Sequence, residues 1–174
     1  KHHATAGFGE ASILPDFPMV MSYGSDEPTQ AFYDTAKVKA MLLKVEGHML
    51  ALLQYDVIAV QNEQAEMSKD SITRHTPLPK RNIIVSATHN HSYGRTHKKP
   101  VYQLMAARGV QATQRALAHQ FPARIGFGKR KLPSTLNLNR AEVNGPANPL
   151  LYLIKVTDTT GHLRGLHYNY GSHP

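Results

Sequence analysis

The sequence predicts an α/β fold: a mixed β-sheet with packed helices and a β-hairpin toward each end of the chain. Three observations carry this. Two apolar segments, Ala36 to Val45 and His48 to Ile58, flank the turn pair Glu46-Gly47. Strand-like, helix-like and strand-like stretches then follow one another up to His89, with the spacing of a βαβ unit. Finally, Leu150 to Thr157 and Leu163 to Tyr170 flank Asp158-Thr159-Thr160-Gly161-His162, a second hairpin. With 174 residues, 41% of them hydrophobic, the chain is long enough for one well-packed domain, and length gives no reason to divide it.

In chain order, the alternation from Gly7 to Ile13 predicts an opening strand that Pro15 and Pro18 end. Met19 to Thr29, with Tyr23-Gly24-Ser25 and Pro28, is a loop. The second arm of the first hairpin is apolar with little alternation, as in a strand covered on both faces, and it runs into Asp56. Asn62 to Arg74 is helical, with Asn62 as its cap and Glu63 and Glu66 in the first turn, where the helix dipole favours negative charge. Pro77 and Pro79 stop it. A short buried strand from Asn82 then leads to His89. Pro100 to Gln120 is the strongest helix, its small apolar face drawn from Leu104, Ala107, Gln111 or Ala112, Leu117 and Ala118. Ala123 to Gly128 is a strand, Lys129-Arg130-Lys131 a solvated edge, and Leu132 to Asn148 irregular and rich in Asn and Pro.

The chemistry concentrates at His89-Asn90-His91. In an extended backbone this i, i+2 spacing puts both imidazoles on one side of the chain. Two imidazoles at a strand end can form half of a zinc site; they can also be ordinary hydrogen-bonded or surface side chains, since eleven histidines in one chain produce close pairs by chance. The absence of cysteine removes disulfides, thiol nucleophiles and thiolate metal sites, so any metal must be held by His, Asp, Glu, Tyr or backbone oxygen. Ser71 to Ala141 holds thirteen Lys or Arg and no acid, whereas ten of the twelve acids lie in the first seventy residues. A carboxylate for the histidine pair must therefore come from elsewhere in the chain. The same asymmetry implies a positive field able to attract an anionic membrane surface or nucleic acid, although the basic residues are dispersed among strands and helices and not gathered on one helix face.

Four stretches together resemble a known family. Ser86-Ala87-Thr88-His89-Asn90-His91-Ser92, Ile125-Gly126-Phe127-Gly128, Asn139-Arg140 and the terminal Asn169-Tyr170-Gly171-Ser172-His173-Pro174 resemble, in order, motifs of the N-terminal catalytic region of neutral/alkaline non-lysosomal ceramidases. The hairpin ending in Asp56 and the Tyr23-Gly24 loop are similar to that family as well. The resemblance implies a zinc-dependent hydrolase whose substrate is a lipid amide, N-acyl sphingosine or a relative, in a secreted or periplasmic protein. By the same resemblance His89 and His173 are zinc ligands, His91 stabilises or protonates the reacting groups beside the metal, and Arg140 is a polar contact to substrate.

The sequence also departs from the family. Asn90 stands where Thr is usual, Tyr93-Gly94 where Gly-Pro is usual, and Gly171-Ser172 where Ala-Cys is usual. The family's glutamate and tyrosine ligands lie well downstream of the late His-Pro motif, so residues 1–174 are expected to be the N-terminal portion of a catalytic domain, carrying at most half of the site. A downstream segment or partner chain would supply the remaining ligands; a shortened relative would need a local one, for which Asp56 is the best placed, against an ordinary hydrogen-bonding role at its strand end. Asn90-His91-Ser92 is also a glycosylation sequon, and a glycan there would obstruct the site. No apolar leader follows Lys1-His2-His3. The competing reading is a basic nucleic-acid-binding module with incidental histidines, but no helix-turn-helix, zinc-finger or aromatic RNA-binding signature accompanies the charge, and no nucleic acid is expected. A metallo-β-lactamase site would continue with Asp-His, where His91 is followed by Ser92-Tyr93.

Overall fold

A computed structural model describes residues 4–22, 26–29, 31–137, 139–142 and 145–171. The expected loop residues Tyr23, Gly24 and Ser25, and the terminal His173, lie outside the described residues. Chain contacts separate two compact units, Lys1–Phe121 and Pro122–Pro174, where length alone gave no reason for a division.

The first unit carries a four-stranded mixed sheet in the order β4-β3-β2-β1. Its strands are β1 (Ala4–Ser12), β2 (Lys37–Val45), β3 (His48–Tyr55) and β4 (Ile83–Ala87). β1 starts three residues before the alternating stretch that predicts it, because its backbone pairs with β2 from Ala4↔Val45 onward. The Glu46-Gly47 hairpin forms as expected, with both residues at positive φ, 49° and 83°, the left-handed pair that a tight two-residue turn requires. β3 pairs antiparallel with β2 and parallel with β4. Helix α1 (Asn62–His75) connects β3 to β4, so the βαβ unit is present.

Helix α2 (Lys99–Ala118) packs over β1 and β2. Its buried face is Val101, Tyr102, Met105, Ala106, Gly109, Ala112, Thr113 and Ala116, rotated by about one position from the predicted one. Helical side chains cover the surface N-terminal to their own Cα, and the strand below dictates which small residues are needed. A Cβ on Gly7 would stand 1.9 Å from the Ala116 carbonyl oxygen and one on Gly9 2.1 Å from that of Ala112. Glycines on β1 and alanines on α2 together permit this close backbone approach. Between sheet and helices lie Ile13, Val38, Leu42, Leu53, Tyr55, Val57, Ile72, Leu78 and Met105, all at most 1% exposed.

Two further expectations change. Gln61, not Asn62, caps α1, and its backbone N–H donates to Gln64 Oε1 at 2.8 Å. The strand leading to the histidines is not buried: β4 is the outer strand of this sheet, only Ile83 is fully covered, and Ile84 is 50% exposed. Its β-branched run reflects strand propensity at an edge and not coverage on both faces.

The second unit is an antiparallel sheet, β5-β6-β7, formed by β5 (Phe121–Lys131), β6 (Leu150–Asp158) and β7 (Leu163–Tyr170). Lys129, Arg130 and Lys131 belong to β5 and are exposed along it. In the turn after β6, Asp158 Oδ1 accepts hydrogen bonds from the backbone of Thr160 and His162 and from the Thr160 hydroxyl. These bonds hold its carboxyl below the usual carboxylate range.

Candidate functional site

The strand ladder between β3 and β4 ends at Tyr55↔Ala87, but the two chains stay side by side beyond it. The Thr88 N–H donates to the Tyr55 carbonyl at 3.0 Å and the Asn90 N–H to that of Val57 at 3.1 Å. Between those two bonds His89 adopts φ 64°, the left-handed region that non-glycine residues visit uncommonly, histidine more than most. The backbone is therefore not extended at the histidine pair, and the i, i+2 geometry that places both rings on one side of a strand does not apply. The rings come together by a turn instead: their centroids lie 4.8 Å apart at an interplanar angle of 71°.

His89 Nδ1 lies 2.7 Å from the Ile58 carbonyl oxygen. A carbonyl can only accept, so Nδ1 carries a proton, and in the neutral ring the lone pair is then on Nε2. That tautomer, fixed by a backbone carbonyl, is the usual arrangement of a metal-ligating histidine. The donor chemistry at this point thus fits one side of a zinc site: two adjacent imidazoles, one with its tautomer set by the fold. Among the described residues, no group of three or more His, Asp or Glu side chains is arranged to hold a metal ion. Asp56 accepts a 2.8 Å hydrogen bond from the Thr88 hydroxyl, the strand-end role weighed against its being a ligand.

The segment after the pair is anchored. Asn90 Oδ1 accepts from the Ser92 N–H at 2.8 Å, closing a local turn. Tyr93, fully buried, donates its hydroxyl to the Ile13 carbonyl at 2.5 Å, and burial raises its phenol pKa. The Tyr93 carbonyl accepts from Ser22, and the Val20 carbonyl from Arg95, whose guanidinium also pairs with Asp26. Gly94 is needed here because a Cβ would stand 2.8 Å from that of Met19. Asn90, Ser92 and Tyr93 help line a cavity of about 420 Å³ whose other members include the apolar Leu14, Met21 and Phe32 and the polar Asp34, Thr35 and Asp56.

Of the predicted site residues, the structure brings His89 and His91 together. Arg140 is exposed on a loop of the second unit that Asn139 shapes, its Oδ1 accepting from the Ala141 and Glu142 N–H groups. Asn137 Nδ2 donates to the Asn148 and Gly171 carbonyls, tying that irregular stretch to the end of β7. The contributions of the Ile58 carbonyl and of Thr88 were not foreseen, since a carbonyl has no sequence signature and Thr88 is inconspicuous beside two histidines.

No protein-family model and no curated protein matches this sequence. Solved structures do. The chain superposes on neutral ceramidase from Pseudomonas aeruginosa with a TM-score of 0.80 at 16% identity, over 98% of this chain and 32% of that one. The chain has the fold of that third of neutral ceramidase. A second structure, a ceramidase complexed with C2, matches with a TM-score of 0.76 at 19% identity over 98% of this chain and 31% of its own. The chain therefore spans about a third of the length of these ceramidase structures.

Proposed function

We propose that this chain forms part of a zinc-dependent amide hydrolase acting on N-acyl sphingosine or a related lipid amide. The observation that carries the reading is the His89–His91 pair, 4.8 Å apart with the His89 tautomer set by Ile58, at a strand end of a ceramidase fold. His89 and His173 would hold the metal, together with ligands from a downstream segment or a partner chain. Zinc in such a site lowers the pKa of a bound water and polarises a carbonyl. His91, beside His89, has the imidazole chemistry to donate a hydrogen bond or a proton near neutral pH to the oxygen or nitrogen of the amide. The apolar wall of Leu14, Met21, Phe32 and Tyr93 offers hydrocarbon a place, while Asn90 and Ser92 offer hydrogen bonds to an amide or hydroxyl. Arg140 would contact polar groups of the substrate, and exposed basic residues would favour approach to an anionic membrane surface.

The test is zinc content and hydrolysis of N-acyl sphingosine by the intact protein, wild type against His89→Ala and His91→Ala. The expected result is stoichiometric zinc in the wild type, its loss in His89→Ala, and retained zinc with turnover reduced about 100-fold or more in His91→Ala. Wild-type turnover in His89→Ala, or a wild-type protein that binds no zinc, would refute the proposal.

A further inference from the structure

We propose that Asp56 and Thr88 are positioning residues for His89, and that Asp56 acts through its hydrogen bond to Thr88 and not as a metal ligand. This rests on the reading of His89 as a zinc ligand, but its geometry stands apart from any metal. One set of bonds to the His89 turn comes from Tyr55, the last residue of the β3–β4 ladder, and the three residues after it. Tyr55 and Val57 accept the backbone N–H groups of Thr88 and Asn90, the residues on either side of it, and Ile58 accepts its ring proton. The remaining residue of that tetrad is Asp56, whose carboxylate accepts from the Thr88 hydroxyl at 2.8 Å. The Asp56 N–H in turn donates to the Lys37 carbonyl on β2 at 2.9 Å, so the carboxylate is carried by a fixed backbone.

The side-chain bond is needed because of the turn. At φ 64° His89 sits in a left-handed conformation that is unfavourable for a residue with a Cβ. Without the Asp56 contact, Thr88 would be held on this side by one backbone bond at the end of an edge strand, where water can compete for it. Relaxing Thr88 would let the turn open and draw Nδ1 away from Ile58. The ring would then sample both tautomers. Asp56 Oδ1 is engaged with the Thr88 hydroxyl, which gives the carboxylate a hydrogen-bonding role without a metal. Asp56 lines both the cavity beside Asn90 and Ser92 and a polar one that includes Thr88, Lys37, Lys39 and Gln54.

The test uses the intact protein labelled with 15N-histidine, wild type and the variants Thr88→Val, Thr88→Ser, Asp56→Ala and Asp56→Asn. Imidazole 15N shifts report the tautomer of His89, assigned by comparison with His89→Gln, and chelator competition gives the zinc dissociation constant. Thr88→Val and Asp56→Ala are expected to convert His89 from the Nδ1–H form to a tautomer mixture and to weaken zinc binding 10- to 100-fold. Thr88→Ser restores a hydroxyl and Asp56→Asn keeps an acceptor oxygen, so both should stay within about threefold of wild type with an unchanged ring signature. An Asp56→Asn defect as large as that of Asp56→Ala would show that the charge matters and overturn the positioning role. So would a wild-type tautomer in Thr88→Val. If the wild type binds no zinc, the hydrolase reading fails, yet the ring signature still decides the positioning claim.

Discussion

Tyr93→Phe offers a direct measure of how firmly the segment behind the histidine pair is held. The substitution removes one oxygen from a side chain with no solvent exposure and leaves the ring in place, so the cavity contribution is small. What it removes is the 2.5 Å hydrogen bond to the Ile13 carbonyl, on a residue that is itself fully buried. A buried acceptor that loses its donor costs about 1 to 3 kcal/mol. For about 150 to 250 residues each kcal/mol lowers the melting temperature by about 2 to 4 °C, and by less in a longer chain, so calorimetry of the intact protein should show a drop of up to about 12 °C. Tyr33→Phe is the control: Tyr33 is fully exposed, and its substitution should change stability by no more than about 0.5 kcal/mol. A melting temperature for Tyr93→Phe equal to that of Tyr33→Phe would refute the claim that this bond anchors the segment.

Two further predictions follow from the packing. Gly9→Ala places a Cβ against the backbone of Ala112 and Ala116, which cannot move without shifting α2, so denaturant unfolding should show a loss of about 1 to 3 kcal/mol even after the small gain from replacing a strand glycine. Tyr55 is buried with its hydroxyl donating to the Met105 carbonyl at 3.0 Å, and burial pushes its pKa up to about 12. Its unfolded value is about 10, so the unfolded state releases the proton first. Stability should therefore fall as pH rises from about 10 to 12, and Tyr55→Phe should flatten that slope in pH-dependent unfolding measurements.

The charge distribution shows how far composition carries. The acid-poor stretch after residue 70 predicts a positive field, yet part of it is compensated from the acidic first portion. Lys80 pairs with Glu66 at 2.8 Å and Asp70 at 2.6 Å, and Arg95 pairs with Asp26. These exposed pairs contribute little to stability, but they reduce the charge available to a membrane or any other anionic surface.

By itself the sequence determined the element order, both hairpins, the βαβ connection and the position of the histidine pair. Turn chemistry and hydrophobic period are local properties, and Glu46-Gly47 or the run from Leu150 to Tyr170 expresses them without reference to the rest of the chain. Only the tertiary structure decided what depends on a partner distant in sequence. Which face of α2 is buried follows from two glycines on β1, more than a hundred residues away from Ala112 and Ala116. That β4 is an edge strand follows from sheet order, which propensity does not encode. The orientation of His89 is of the same kind: its turn is held by hydrogen bonds that Thr88, His89 and Asn90 donate to Tyr55, Asp56, Val57 and Ile58, some thirty residues earlier. Residue type at His89 and His91 fixes which atoms can donate or accept, but the direction in which they point is set by backbone carbonyls that carry no identity in the sequence.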